Sequence, residues 1–161
     1  MVWLCYLIKS LDSNKTYIGC TNNLLRRLDD HNNINKGRGA KYTRGERWVP
    51  ACYVTGFQTH SQCLSFEWKF KNMRKHRTKS NKKIKQLSLS DIPYKYGKNT
   101  LHDRVLDLYS LVHLEKWTSK CPNASTIPLI INWIDPNLQY DIQLPDYVDE
   151  ITDFGEHIQP F

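Results

Sequence analysis

The 161-residue sequence predicts an α+β fold. Short strands and helices alternate through residues 1–88, and a mixed helix and strand extension follows over residues 89–161. Three observations carry this. Two runs rich in aromatic and aliphatic residues, Trp3–Ile8 and Thr16–Cys20, flank the turn-forming stretch Leu11-Asp12-Ser13-Asn14-Lys15, which is the pattern of a β-hairpin. Leu24, Leu25 and Leu28 then recur at helical spacing. Apolar residues make up 40% of the chain and aromatic residues 12%, enough to build a core and to exclude wholesale disorder.

Each element follows from its residues. The hairpin puts Tyr6 on one arm and Tyr17 on the other. The first helix is expected over about Asn22–Asn33, with Thr21 or Asn22 as its cap. Arg27 and His31 are four residues apart on it, so they point to nearly one side, about 40° apart around the axis. With Tyr17 on the strand that feeds this helix, a phenol, a guanidinium and an imidazole can converge on one pocket, a chemistry suited to a phosphate ester. Asn33–Arg47 carries Lys36, Arg38, Lys41, Arg44 and Arg47 among Gly37, Gly39 and Gly45. It reads as a basic loop able to approach phosphates, and equally as an ordinary exposed loop. Trp48–Phe57 reads as a third strand ending at Gly56, with Pro50 favouring an edge position or the strand's beginning.

A second helix follows, with Ser61 as its expected cap, running through Met73 into the basic block Arg74–Lys85. Glu67 is its informative residue. Cys63, Phe66 and Phe70 place it on or beside the apolar face, where an ionised carboxylate is costly unless it is paired or binds a metal. A rim glutamate paired with Lys or Arg satisfies the same pattern. The block Arg74–Lys85 fits a solvated face, a phosphate-contacting helix end or an import signal.

From Leu87 the composition shifts. Ser88–Asn99 is turn-like, Leu101–Trp117 has helical spacing, Ile127–Ile134 reads as a strand, and Gln139–Leu144 alternates and could pair with it. The segment after Pro145, with Asp146, Asp149, Glu150, Asp153 and Glu156, reads as an acidic tail, either solvated or folded over the basic half.

Charge is distributed unevenly. Residues 1–90 hold 18 Lys and Arg against 5 Asp and Glu, a net of +13, whereas residues 91–161 hold 5 against 11, a net of −6. The basic half points to a polyanionic partner, most simply nucleic acid. The five cysteines are odd in number and none are spaced as C-x-x-C. A disulfide framework or a zinc module is therefore not expected, and an intracellular, reducing compartment is, whether nucleus or cytoplasm. The chain opens on a strand-like run, so no signal peptide is expected, and no apolar stretch approaches membrane-spanning length.

Taken together, Tyr6, Tyr17-Ile18-Gly19, Arg27, His31 and Glu67 in Phe66-Glu67-Trp68 resemble the GIY-YIG nuclease superfamily. The first half of its signature is reduced here to Leu4-Cys5-Tyr6. Cys20-Thr21, Arg26-Arg27, His31-Asn32, Thr43, Trp48 and Gly56-Phe57 are most similar to the Slx-type branch, which cuts branched DNA. The resemblance covers about residues 1–76. It implies a small three-stranded antiparallel sheet flanked by helices, and hydrolysis of a phosphodiester strand with one divalent cation, Mg²⁺ or Mn²⁺. Under that resemblance Glu67 is the metal carboxylate, Arg27 offsets charge on the phosphoryl oxygens, Tyr6 with His31 deprotonates the attacking water, and Tyr17 positions phosphate or water. If burial keeps Tyr6 a neutral phenol, His31 is the better base.

Arg26, Lys36, Arg38, Lys41, Arg44, Lys71 and Arg74 are expected to contact DNA. The Slx-type zinc finger is not expected within residues 89–161, which hold only Cys121. A protein partner or self-association through residues 89–161 is the expectation left in its place. The rival readings are a catalytically silent nucleic-acid-binding or scaffolding module and a site-specific restriction or homing-type nuclease; for the latter no fingerprint of a sequence-reading domain is seen after Leu87.

Overall fold

The computed structural model describes residues 2–33, 37–73 and 100–153. Its centre is a five-stranded sheet in the order β2-β1-β3-β4-β5. Strands β1 (Leu4–Ser10), β2 (Thr16–Thr21) and β3 (Trp48–Thr55) form the expected antiparallel unit. The extension adds β4 (Leu129–Trp133) antiparallel to β3, and β5 (Val148–Thr152) parallel to β4. The helices are α1 (Leu24–Asn32), α2 (His60–Asn72) and α3 (Leu101–Val112). Among the described residues no helix is long and apolar enough to cross a membrane.

Side-chain alternation along the strands separates two apolar layers. Cys5, Leu7, Ile18, Cys52 and Val54 face one way and pack with Cys63, Phe66 and Phe70 of α2 and Val105, Leu108 and Val112 of α3. Tyr6, Ile8 and Trp48 face the other way and pack with Leu24 and Leu28 of α1. Burying each such large apolar side chain stabilises the fold by about 1.5–3 kcal/mol. Pro50 lies in the part of β3 that precedes the β4 pairing, opposite Ile8, and Ala51 is an extra residue there, because Leu7 already pairs with Cys52. Gly56 ends β3 at φ 110, and a Cβ there would overlap the Pro128 carbonyl oxygen, so the approach of the strand leading into β4 requires glycine.

The helix starts are set by other caps than expected. Asn23 accepts from the Arg26 amide at 3.0 Å and Thr59 from the Gln62 amide at 3.2 Å. The first of α3's turns is closed by a capping box of Thr100 and Asp103. That helix stops at Val112 rather than Trp117, because the His113 ring is turned onto the Tyr109 carbonyl at 2.6 Å and the Gln143 carbonyl at 2.9 Å.

The expected strand at Gln139–Leu144 is absent. Side chains of α3 take up its backbone groups instead: the Tyr140 amide donates to the Tyr109 hydroxyl at 3.0 Å. The parallel strand comes from residues read as acidic tail, Val148–Thr152. It enters the sheet with Glu150 accepting from the Tyr109 hydroxyl at 2.6 Å, the Trp133 indole at 3.2 Å and the Gln139 amide at 2.9 Å. The expected continuation of α2 to Lys85 and the turn at Ser88–Asn99 lie outside the described residues.

Candidate active site

Tyr6 projects from β1 toward α1, directly opposite Gly19 of β2. A Cβ on Gly19 would overlap the Tyr6 phenol oxygen and Cζ. The glycine therefore makes room for the ring. The Tyr6 hydroxyl is 2.8 Å from His31 Nε2, and His31 Nδ1 is 2.8 Å from the Thr43 hydroxyl, which donates to the Ala40 carbonyl at 2.8 Å. Thr43 has one hydroxyl proton and spends it on that carbonyl, so it accepts from His31 Nδ1–H. His31 Nε2 is then the acceptor for the Tyr6 proton, a tautomer assigned from the network. Burial, with Arg27 adding to it, lowers the His31 pKa to about 4, which keeps the imidazole neutral. Burial pushes the Tyr6 phenol up, and the hydrogen bond and charge of Arg27 pull it back only in part. The Trp48 indole donates to the Thr43 carbonyl at 2.8 Å, and Asn32 brackets the Trp48 backbone at 2.7 and 3.0 Å, which holds the loop beneath His31.

Arg27 donates from Nε to the Tyr6 oxygen at 3.4 Å and from a terminal nitrogen to the Arg38 carbonyl at 3.0 Å, with Asp30 3.8 Å away. The guanidinium is thus spread across the Tyr6 oxygen. Tyr17 lies beside the relay, its ring centroid 5.0 Å from that of His31 and 6.4 Å from that of Tyr6. The Lys71 ammonium sits 5.2 Å over the Tyr17 ring and 2.9 Å from Glu67 Oε1. Although α2 packs on the opposite face of the sheet, Lys71 thereby links it past the β2 edge to the α1 face. Outward, Tyr42 stacks on Tyr17 at 6.4 Å and Lys15 covers Tyr42 at 5.2 Å. From Arg27 through Tyr6, His31, Tyr17 and Lys71 to Glu67, the groups form one continuous run of contacts at the free edge of the sheet.

A family model for the GIY-YIG catalytic domain matches residues 2–85. The chain belongs to the GIY-YIG family. It is 47% identical over 116 residues to the uncharacterized protein L300 of Acanthamoeba polyphaga mimivirus, covering 69% of this chain and 67% of that protein. It is 45% identical over 73 residues to the structure-specific endonuclease subunit slx1 of Pyrenophora tritici-repentis, and 38% identical over 74 residues to that of Schizosaccharomyces pombe. Each of these two alignments covers 44% of this chain, and they cover 20% and 27% of the respective relatives. The chain thus spans two thirds of the viral protein but only 20% and 27% of these two slx1 subunits. Residues 2–85 are a nuclease domain of the hydrolase class.

Within this GIY-YIG domain, the structure gathers Tyr6, Tyr17, Arg27, His31, Glu67 and Lys71. Arg26, Arg38, Lys41 and Arg44 stand exposed around them, Arg26 touching Asn22 at 3.3 Å. Lys36 and Arg74 lie outside the described residues. Sequence reasoning missed Thr43 as the partner of His31, and Tyr42 and Lys15 as the outer layer. Thr43 stands among the residues shared with the Slx-type branch, but its role has no further signal than a short polar residue in a basic loop before a buried tryptophan. A divalent cation suits the donor set: Glu67 is a hard oxygen ligand already attracting a cationic group, and its side chain keeps 17% exposure.

Proposed function

We propose that the chain is a divalent-metal-dependent DNA endonuclease that cuts one strand of branched or flap DNA; the slx1 relatives are named as structure-specific endonuclease subunits. The observation that carries this reading is the Tyr6–His31 pair at 2.8 Å with Arg27 on the same phenol oxygen. The Tyr6 oxygen accepts a proton from the attacking water as its own passes to His31 Nε2. A free phenolate would be costly with the phenol pushed up, so the two transfers are concerted. The guanidinium beside this oxygen stabilises charge building on the phosphoryl oxygens. Tyr17 fills the wall between His31 and Lys71 and orients the phosphate. Mg²⁺ or Mn²⁺ would be held by Glu67 and would neutralise phosphate charge there. Arg26, Arg38, Lys41 and Arg44, with Lys36 and Arg74, contact the backbone of the DNA.

One observation favours the second reading, a catalytically silent nucleic-acid-binding or scaffolding module: Glu67 is paired with Lys71. That pair is an i,i+4 contact whose lysine is 40% exposed, and pairs of this kind are worth only about 0–1 kcal/mol, too little to keep a divalent cation away. The test is purified full chain with flap, junction and duplex DNA, with and without Mg²⁺. Metal-dependent cleavage that Glu67→Ala or Arg27→Ala abolishes supports the enzyme. DNA binding without any cleavage supports the silent module, and cleavage untouched by both variants overturns the site assigned here.

The intracellular, reducing compartment and the use of residues 89–161 for a protein partner or self-association stand as further proposals. Fractionation of the native protein and sedimentation of the full chain test them.

A further inference from the structure

The nuclease reading leaves one cluster unused, the thiols on the other face of the β2 edge. Cys20 directly follows Gly19 and faces α2, where its sulfur lies 2.8 Å from that of Cys63. This is closer than two non-bonded sulfurs ordinarily pack, and it leaves roughly 0.75 Å to close to reach an S–S bond of about 2.05 Å. Both thiols are free, Cys20 half-buried and Cys63 buried. The two differ in character. The facing Cys63 thiol favours the Cys20 thiolate, against burial and the charge of Glu67, whereas contact with Cys20 and burial push the Cys63 thiol up. An oxidant reaches the more exposed and more acidic sulfur first, with the second in bonding reach behind it.

We propose that Cys20 and Cys63 are a modification site, closed by a hydroperoxide-class oxidant into a reversible disulfide that ties the edge strand to the helix holding Glu67. The Cys20 thiolate attacks one peroxide oxygen: an S–O bond forms, the O–O bond breaks, and hydroxide leaves, giving the sulfenic acid. The Cys63 sulfur then attacks that of Cys20: the S–S bond forms, the S–O bond breaks, and hydroxide departs with the Cys63 proton as water. Two thiols and one peroxide give one disulfide and two waters. Cys63 lies one turn before Glu67 on α2, so the bond would anchor the metal-binding turn to the strand that carries Tyr17. Closure of the bond does not depend on what the site cleaves.

The full chain is treated with hydrogen peroxide, quenched with catalase, alkylated in denaturant and mapped by mass spectrometry without reduction. The expected result is a fall from five free thiols to three, with the Cys20 and Cys63 peptides joined and separated again by dithiothreitol. Cys20→Ser removes the linked species and Cys121→Ser leaves it. Two results overturn the proposal. One is Cys20 joined instead to Cys5, its directly opposite partner on β1. The other is Cys20 carried to sulfinic acid while Cys63 stays alkylatable.

Discussion

The two edges of the sheet use the same chemical parts to opposite ends. At the β5 edge the Tyr109 hydroxyl donates to Glu150, and that carboxylate also takes the Trp133 indole and the Gln139 amide. Three donors on one acid leave little unsatisfied, so the network pins the extension onto the sheet. At the β2 edge the Tyr6 hydroxyl also donates to a buried base, but that base is a neutral imidazole with a single lone pair, and Arg27 stands on the phenol oxygen from outside. Both phenols are pushed up by burial. The difference lies in the partner: a carboxylate already served by several donors holds a proton in place, whereas a neutral imidazole backed by Thr43 can take one.

The largest effects should separate the edges by activity. Arg27→Ala is expected to lower the single-turnover cleavage rate by about 10²–10³-fold, the scale of losing one donor to a developing oxyanion. Tyr109→Phe, at the sealed edge, is expected to leave that rate within about twofold and to lower stability by about 1–3 kcal/mol in urea melts. A Tyr109→Phe enzyme as slow as Arg27→Ala would erase the contrast. Next, Tyr6→Phe and His31→Ala should each cost about 10²–10⁴-fold in rate, and the double variant little more than either, because both serve one proton transfer. Additive losses would mean that the two act separately.

A smaller effect is sought at Gly19. Gly19→Ala forces a Cβ into the Tyr6 ring, for an expected destabilisation of about 1–3 kcal/mol and a rate loss larger than that destabilisation explains. Gly45→Ala meets no neighbouring atoms and should show only the backbone strain of its φ of 83. The smallest effect is the pH dependence of stability. His31 has its folded pKa lowered to about 4 from an unfolded value near 6.5. Its contribution is complete above about pH 6.5 and is lost as the pH falls toward 4, with a limiting slope of about 1.4 kcal/mol per pH unit inside that window. The urea midpoint should fall across the same range in the native protein, and His31→Gln should flatten the fall. An unchanged slope would indicate that folding does not lower the His31 pKa.

Much of the reactive edge was legible in the chain because short-range rules govern it. The period of Leu24 and Leu28 sets Arg27 and His31 on one side of a helix, and the hairpin brings Tyr6 across from the Tyr-Ile-Gly strand. Glu67 was visible as a carboxylate beside an apolar face. The contact of Thr43 with His31 was not, because it runs through a loop whose path depends on the Asn32–Trp48 bracket. The sealed edge was largely illegible. Glu150 faces a cluster of donors where the alternation of a strand calls for an apolar residue, so Val148–Thr152 read as tail. Gln139–Leu144 alternates like a strand, but α3 claims its backbone groups.

The central claim is that His31 waits as a neutral base for the Tyr6 proton. Nitrogen-15 chemical shifts of the His31 imidazole, followed from pH 7 down to pH 3.5, test it most directly. The account predicts a protonated Nδ1 and a bare Nε2 at pH 7, with titration near pH 4. A proton on Nε2 at pH 7, or an imidazolium already formed there, would contradict it.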